Sequence, residues 1–487
     1  MSLPVVSVAG NGFLSSGHRF RIKGVAYVEK GSGSTPIDVL ADSRASQCAI
    51  DGPLIKALGA NTINVYYTDA TQSHDKCMQI FQDNGIYIIA NMANQWDRTL
   101  LNMTGLDVSS NIANSTWQMD VFKDYAAVLD SMAGYSNLLG LLIGDEIVTG
   151  QYIENKGSTV DLAPYLKAAA RDMKAYTASR QYRPIPIGYA TSAEYTYMQA
   201  LGEYLVCGGN SDETIDFYSV NGYQWCGNSS VSASGYDELT SKLEGLAVPI
   251  FFSEDGCNKP DPRLFGDQSA IFESNLSSIW SGAIVYEWRQ ESRNYGLVSY
   301  TTSGASTPTT LADYNALKSQ WSAMTANTQL PSTFSTPSCP TSINSSWPIN
   351  PSAALPTIAG LDFANIKAAY ATGESTSTSA RPSSSMRSKQ STGTMAGISV
   401  GIVLGVVLVV IGIFLYFCLR RRKRNRQKKT SSSTAETSET LATGSASHIA
   451  PSIELAHTDS PNELPGSDPR AQEIDSVVAH KAGRGEV

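Results

Sequence analysis

Two apolar runs in this chain end on adjacent acids. LLIGDEIVTG (141–150) carries Asp145 and Glu146, and PIFFSEDGCN (249–258) carries Glu254 and Asp255. Carboxylates repel one another and resist burial, so an apolar segment that finishes on two of them delivers charge to a place where charge is used. A pair of carboxyl groups is the equipment of glycosidic bond cleavage. One holds a proton at the leaving oxygen, and the other, ionised, attacks the sugar carbon or activates water. A separation of about 5–5.5 Å marks the retaining variant, which passes through a covalent glycosyl ester. A lone acid at a strand end is more often a helix cap or a loop charge; two of them, each closing an apolar run, favour a site. Aromatic residues close other runs: Tyr66, Tyr223, Tyr286 and Trp288. Sugar rings present apolar C–H faces that pack on aromatic rings, and phenol hydroxyls bond sugar hydroxyls. Taken singly, each ring fits core packing equally well.

Eight short β-rich apolar runs position these residues, at 20–27, 61–67, 85–92, 137–146, 183–190, 215–223, 248–256 and 282–288. Most are continuously apolar rather than alternating, as strands buried on both faces are. Helical patterns fill several intervals, for example 119–135 and 162–180. Eight strand–helix repeats predict an α/β fold, a (β/α)8 TIM barrel over residues 5–330. Catalytic groups of such barrels sit at the C-terminal strand ends. Glu146 ends the fourth run and Glu254 the seventh, so the two face each other across the expected barrel mouth.

The remainder of the chain is organised differently. Residues 331–394 are rich in Ser, Thr and Pro and read as an extended stalk of the O-glycosylated kind, tied down at its front by Cys339. Residues 396–419 form a charge-free run of 24, about 36 Å as a helix and enough to span a bilayer. Eight basic residues among the ten at 420–429 follow, a stop-transfer signal that places the C-terminus in the cytosol. Residues 430–487 are polar and poor in aromatics, so 420–487 reads as a disordered cytoplasmic tail whose partners stay unassigned. The five N-x-S/T sequons, at Asn102, Asn114, Asn228, Asn275 and Asn344, all precede the span. The expectation is therefore a single-pass plasma-membrane protein with its large domain outside. The opening MSLPVVSVAG lacks a basic region and an apolar core, so either the span itself directs insertion or, the favoured expectation, the true N-terminus with its export signal precedes this start. A net charge of −8 over 487 residues speaks against a nucleic-acid partner. Six of the seven cysteines lie within the first 339 residues, and no CxxC pair or Cys/His cluster points to zinc. Three disulfides in an oxidising compartment are expected, with no metal and no cofactor.

The motifs KGVAY, LGANTINVYY, HDKCM, NLLG, RDMK, NGYQWCG, FFSEDGCN and NYGLV, in order over about residues 8–340, resemble the fungal β-1,3-glucanosyltransferases of glycoside hydrolase family 72. The resemblance implies a (β/α)8 barrel that cuts an internal β-1,3-glucan bond and transfers the new end to another glucan chain, extending it in the cell wall. It implies Glu146 as acid/base and Glu254 as nucleophile, with Asn91 and Asp145 at positions that line the donor site, beside the strand-end Tyr66, Tyr223 and Tyr286 already expected to contact substrate. It also implies the pairing Cys48–Cys77, Cys207–Cys339 and Cys226–Cys257, without a further cysteine-rich module. Four positions depart from the family pattern. Val28 stands where Gln is usual, Asn64 where Arg is usual, Asn91 where Asp is usual, and Asp145 where Asn precedes the acid/base. An acid at 145 adds negative charge beside both glutamates and favours a protonated carboxyl there. A plain endo-β-1,3-glucanase, and a catalytically impaired glucan-binding wall sensor, are the alternatives these departures leave open. Where family members end in a lipid-anchor signal, the basic flank and the tail here imply a true transmembrane segment.

Overall fold

The structure is a computed structural model that describes residues 2–31, 36–93, 117–149, 152–153, 157–273, 275–301, 306–325, 328–341 and 347–366. Eight parallel strands close into a barrel: β1 (Ile22–Ala26), β2 (Thr62–Val65), β3 (Tyr87–Asn91), β4 (Leu138–Asp145), β5 (Ile187–Ser192), β6 (Phe217–Gly222), β7 (Ile250–Asp255) and β8 (Trp280–Val285). Each apolar run supplies one strand, and the chain order is the order around the barrel. The helices are α1 (Ala45–Leu58), α2 (Asp75–Asp83), α3 (Met119–Met132), α4 (Ala163–Ser179), α5 (Met198–Val206), α6 (Tyr236–Leu243), α7 (Gly266–Glu273) and α8 (Ala312–Ala323).

Both strand faces are buried, which is why the runs do not alternate. The outer face packs against the helices. In α3 the inward stripe is Val121, Phe122, Tyr125, Ala126 and Leu129, spaced three and four apart. The inner face carries Ile22, Ala26, Tyr87, Ile89, Leu139, Leu142, Phe217, Phe251 and Ile284. The barrel closes between β8 and β1 at Gly282. Its φ is +133°, and a Cβ there would lie 2.1 Å from the Ile22 carbonyl oxygen, so glycine alone fits.

An antiparallel sheet unforeseen in the sequence precedes the barrel: Val6–Ala9, Gly12–Ser15 and His18–Phe20. Its Phe13 packs against Phe217 and Phe251, with ring centroids 6.1 Å away in each case. That contact fills the end of the barrel opposite the strand C-termini. The three disulfides are Cys48–Cys77, Cys207–Cys339 and Cys226–Cys257, the pairing implied by the family resemblance.

The packed region runs past residue 330, the expected domain end. Trp347, Ile349 and Ile358 are buried in the outer core, and Phe363 packs beside Phe122 and Tyr176. Arg171 of α4 donates to the Pro356 carbonyl at 2.8 Å. The Ser/Thr/Pro-rich composition conceals these spaced apolar anchors, so an extended stalk does not begin at 331. Among the described residues no helix is long and apolar enough to cross a membrane. The expected span 396–419 and tail 420–487 lie outside the described residues, as do the sequons at Asn102, Asn114 and Asn344. Asn228 is exposed, and Asn275 opens a 3-10 turn.

Candidate active site

Glu254 is the centre of the constellation. It is the penultimate residue of β7, beside Asn221 of β6 in register. Tyr66, the residue after β2, donates its hydroxyl to Glu254 Oε1 at 2.8 Å. Tyr223, the residue after β6, donates to Glu254 Oε2 at 2.5 Å. Both carboxyl oxygens are thus held by phenols from different sides of the barrel. Burial pushes the Glu254 carboxyl well above the usual carboxylate range, and the charges of Asp145 and then Glu146 push it further. The two phenol hydrogen bonds pull the other way, because they favour the ionised form. In turn burial, and next the Glu254 charge, hold both phenols protonated, so they remain donors.

Glu146 is brought to the same place from β4. It follows the last strand residue, Asp145, and its backbone lies in the left-handed region at φ +51°. Its N–H donates to the Ala190 carbonyl of β5 at 2.9 Å. A non-glycine residue held in that conformation by neighbouring strands is the kind of strain that clusters at functional sites. Asp145 accepts from Asn221 Nδ2 at 2.9 Å, and Asn221 Oδ1 accepts from Ser253 Oγ at 2.7 Å. This relay suits an acid at 145: the amide turns its donor to the carboxylate, and the serine hydroxyl satisfies the amide oxygen. The added negative charge expected from Asp145 is present as a direct influence on Glu254.

Tyr286, directly after β8, joins the wall of the site. Its ring lies 6.1 Å from Tyr223 and 5.5 Å from Tyr295, and Tyr295 lies 5.7 Å from Tyr223, all edge to face. Val28 packs on the inner cluster together with Tyr286, so this part of the wall is apolar. Asn91 ends β3 and is buried, as is Asn64 in β2, and the side-chain polar atoms of both have no hydrogen-bond partner among the described residues. Asn91 is therefore at the expected strand end but is not bonded to the carboxylates. Trp288 departs from a sugar-facing role. It is buried, donates to the Tyr300 hydroxyl at 2.9 Å and packs against Tyr314, so it serves packing outside the site.

Sequence reasoning passed over Asn221, Ser253, Tyr295, Arg263 and Glu287. Asn221 had a legible signal, since it shares a strand face with Tyr223 two residues on. Tyr295 lies within NYGLV and comes from a loop, where no periodicity points inward. Among the described residues no group of His, Cys, Asp and Glu side chains is arranged to hold a metal.

The glucanosyltransferase family, glycoside hydrolase family 72, matches residues 1–325. Protein EPD1 of Candida maltosa is 40% identical over 70% of this chain and 59% of its own length. The 1,3-beta-glucanosyltransferase gas2 of Schizosaccharomyces pombe is 36% identical over 72% of this chain and 74% of its own. The chain thus spans between about three fifths and three quarters of these relatives. The solved structure of Saccharomyces cerevisiae Gas2p in complex with laminaripentaose superposes with a TM-score of 0.61 at 34% identity, covering 72% of this chain and 76% of that one. A closed parallel barrel, two glutamates delivered by β4 and β7 to one mouth, and this match over two thirds of the sequence lead to one conclusion: the chain belongs to the glucanosyltransferase family, glycoside hydrolase family 72.

Proposed function

We propose that this chain is a retaining β-1,3-glucanosyltransferase that cleaves cell-wall β-1,3-glucan and joins the cut end to a second glucan chain. The observation that carries this reading is the convergence of Tyr66, Tyr223, Asp145 and Glu146 on Glu254. Burial and the charges of Asp145 and Glu146 raise Glu254, so the crowded acids retain a proton, and the two phenol donors favour leaving Glu254 as the ionised partner. A Glu254 oxygen attacks the anomeric carbon while Glu146 gives its proton to the bridging oxygen, which leaves as a hydroxyl. Glu146, now ionised, takes the proton of an incoming glucan hydroxyl. That oxygen displaces Glu254 from the anomeric carbon and restores both carboxyl groups. The rings of Tyr223, Tyr286 and Tyr295 give sugar faces a surface from which water is excluded, which favours a glucan acceptor over hydrolysis.

Residues 396–419 would anchor the barrel in the plasma membrane with its mouth toward the wall, with the span, the stalk beyond 366 and the tail as the parts that follow. The test is product analysis after incubation with reduced laminari-oligosaccharides. Longer chains, lost in Glu254→Gln, are the expected result. Shorter products alone would replace transfer by plain hydrolysis, and binding without turnover would leave a glucan-binding sensor.

A further inference from the structure

Glu287 follows Tyr286 at the exit of β8. It is 1% exposed, and its Oε2 has no hydrogen-bond partner among the described residues. Its backbone is fixed. The N–H donates to the Tyr295 carbonyl and the Glu287 carbonyl accepts from Leu297, each at 3.1 Å. Arg263, buried and paired with Asp313 at 2.6 Å, donates to the carbonyls of Tyr286 at 2.7 Å and Tyr295 at 2.5 Å. The loop carrying two of the three wall tyrosines is thus cross-tied through its main chain, and the buried side-chain oxygen in it without a partner among the described residues belongs to an acid. The charged and titratable groups that face this acid are Lys30 from the loop after β1, Arg263 from the loop after β7, and Tyr286 and Glu291 from its own loop. Burial dominates and pushes the carboxyl up to about 7; Lys30, Tyr286 and Arg263 pull it down, and Glu291 pushes it up. Its charge therefore changes near neutrality, one residue from the sugar-facing wall.

We propose that Glu287 is a positioning residue that keeps the Tyr286 ring seated against Tyr223 and Tyr295 while its carboxyl is neutral, and unseats that ring when the carboxyl ionises. A neutral acid adds no charge to this buried seat. An ionised one is desolvated there and is drawn toward the Lys30 ammonium, taking the Tyr286 phenol with it by hydrogen bonding. The raised carboxyl makes the sign plain. The folded loop holds a proton that an unfolded chain would release, so its stability falls as pH rises toward and through the folded value. The wall is assembled in acid and loosened above neutrality.

The ligand in this proposal rests on the glucan reading, and the switch itself does not. The experiment therefore has two arms. In the first, a β-1,3-gluco-oligosaccharide is titrated calorimetrically into the Glu254→Gln chain, which cannot turn it over, from about pH 5 to about pH 9. Affinity is expected to fall about tenfold across neutrality, and to stay flat in Glu254→Gln/Glu287→Gln. In the second arm, without sugar, Tm is followed over the same range. A fall that runs from about pH 5 to about pH 7 and levels off above it in the otherwise native chain, absent in Glu287→Gln, is expected. Should Glu287→Gln fail to fold, Lys30→Met reads the same titration, with its midpoint moved to higher pH because a stabilising cation is gone. Identical pH dependence of Tm with and without Glu287 overturns the proposal. Absent sugar binding with the Tm signature intact upholds the switch and sinks the glucan reading instead.

Discussion

Tyr66 reaches from the end of β2 to Glu254 at the end of β7, a partner 188 residues away in sequence and 2.8 Å away in space. The bond is made to the carboxylate that carries charge in the proposed mechanism, and it is one of the two side-chain contacts that pull its proton affinity down. Tyr66→Phe removes it without removing the ring. A hydrogen bond to a charged group contributes about 1.5–3 kcal/mol, so kcat/KM should fall roughly 10–100-fold. Loss of a lowering influence moves Glu254 upward, and the acidic limb of the pH–rate profile should move to higher pH. An unchanged limb would show that Glu254 does not govern it.

Asp145→Asn works in the opposite sense. The asparagine oxygen can still accept from Asn221, so the relay through Ser253 survives, while the charge that ranks second after burial among the causes raising Glu254 disappears. The acidic limb is expected at lower pH, with more activity retained in acid than the parent shows. A profile that does not move would mean that solvent screens Asp145 from Glu254.

A second acid pair lies behind the site. Asp255 accepts from Tyr236 at 3.1 Å and from Gln268 at 2.5 Å, and Gln268 also bonds Asp267 at 2.6 Å. Burial raises the Asp255 carboxyl well above its ordinary value, and the Asp267 charge raises it further. Such a group binds a proton in the folded chain that the unfolded chain releases, so its contribution is full in acid and is lost as pH rises. Asp267→Asn relieves the like charge and keeps an acceptor for Gln268. Tm at neutral pH should rise by about 2–4 °C, and the gain should vanish near pH 4. A gain of equal size at both ends of the range would show that the Asp267 charge is not what raises Asp255.

Two of the three disulfides differ in what they hold, one the C-terminal segment and one the loops of the site. Cys207–Cys339 closes a separation of 132 residues and Cys226–Cys257 one of 31. Loop-closure entropy assigns them about 5 and about 3.7 kcal/mol respectively. Cys226 follows Tyr223 by three residues, and Cys257 follows Glu254 by three. Replacing Cys207 and Cys339 with alanine should cost more Tm. Replacing Cys226 and Cys257 should cost more kcat/KM, because it frees the two loops that hold Glu254, the proposed nucleophile, against its phenol donor Tyr223.

The eight strands were legible because a parallel barrel buries both faces, and a run such as LLGLLIGD then has nothing polar until it reaches the mouth. The same feature exposed Glu146 and Glu254, whose charge interrupts an otherwise apolar pattern. Strand boundaries moved by a few residues; β8 starts at Trp280, ahead of its apolar run, because the barrel register and not local hydropathy selects its first residue. The N-terminal sheet escaped notice since its three- and four-residue strands carry polar and charged residues such as His18 and Arg19. Glu287 was read as part of an apolar ending, GAIVYEW. Nothing in its neighbours indicates that the loop carrying Tyr295 folds back and removes it from water.

Phe363 and Trp347 make the outer face of the barrel the exit for whatever chain lies beyond residue 366. Tension on that exit would first have to peel Phe363 from Phe122 and Tyr176, then Trp347 from Tyr204, and would then stop at the covalent knot of Cys339 with Cys207. All eight strands precede Cys339, so tension applied at residue 366 would strain this sacrificial strap before it reached the barrel mouth.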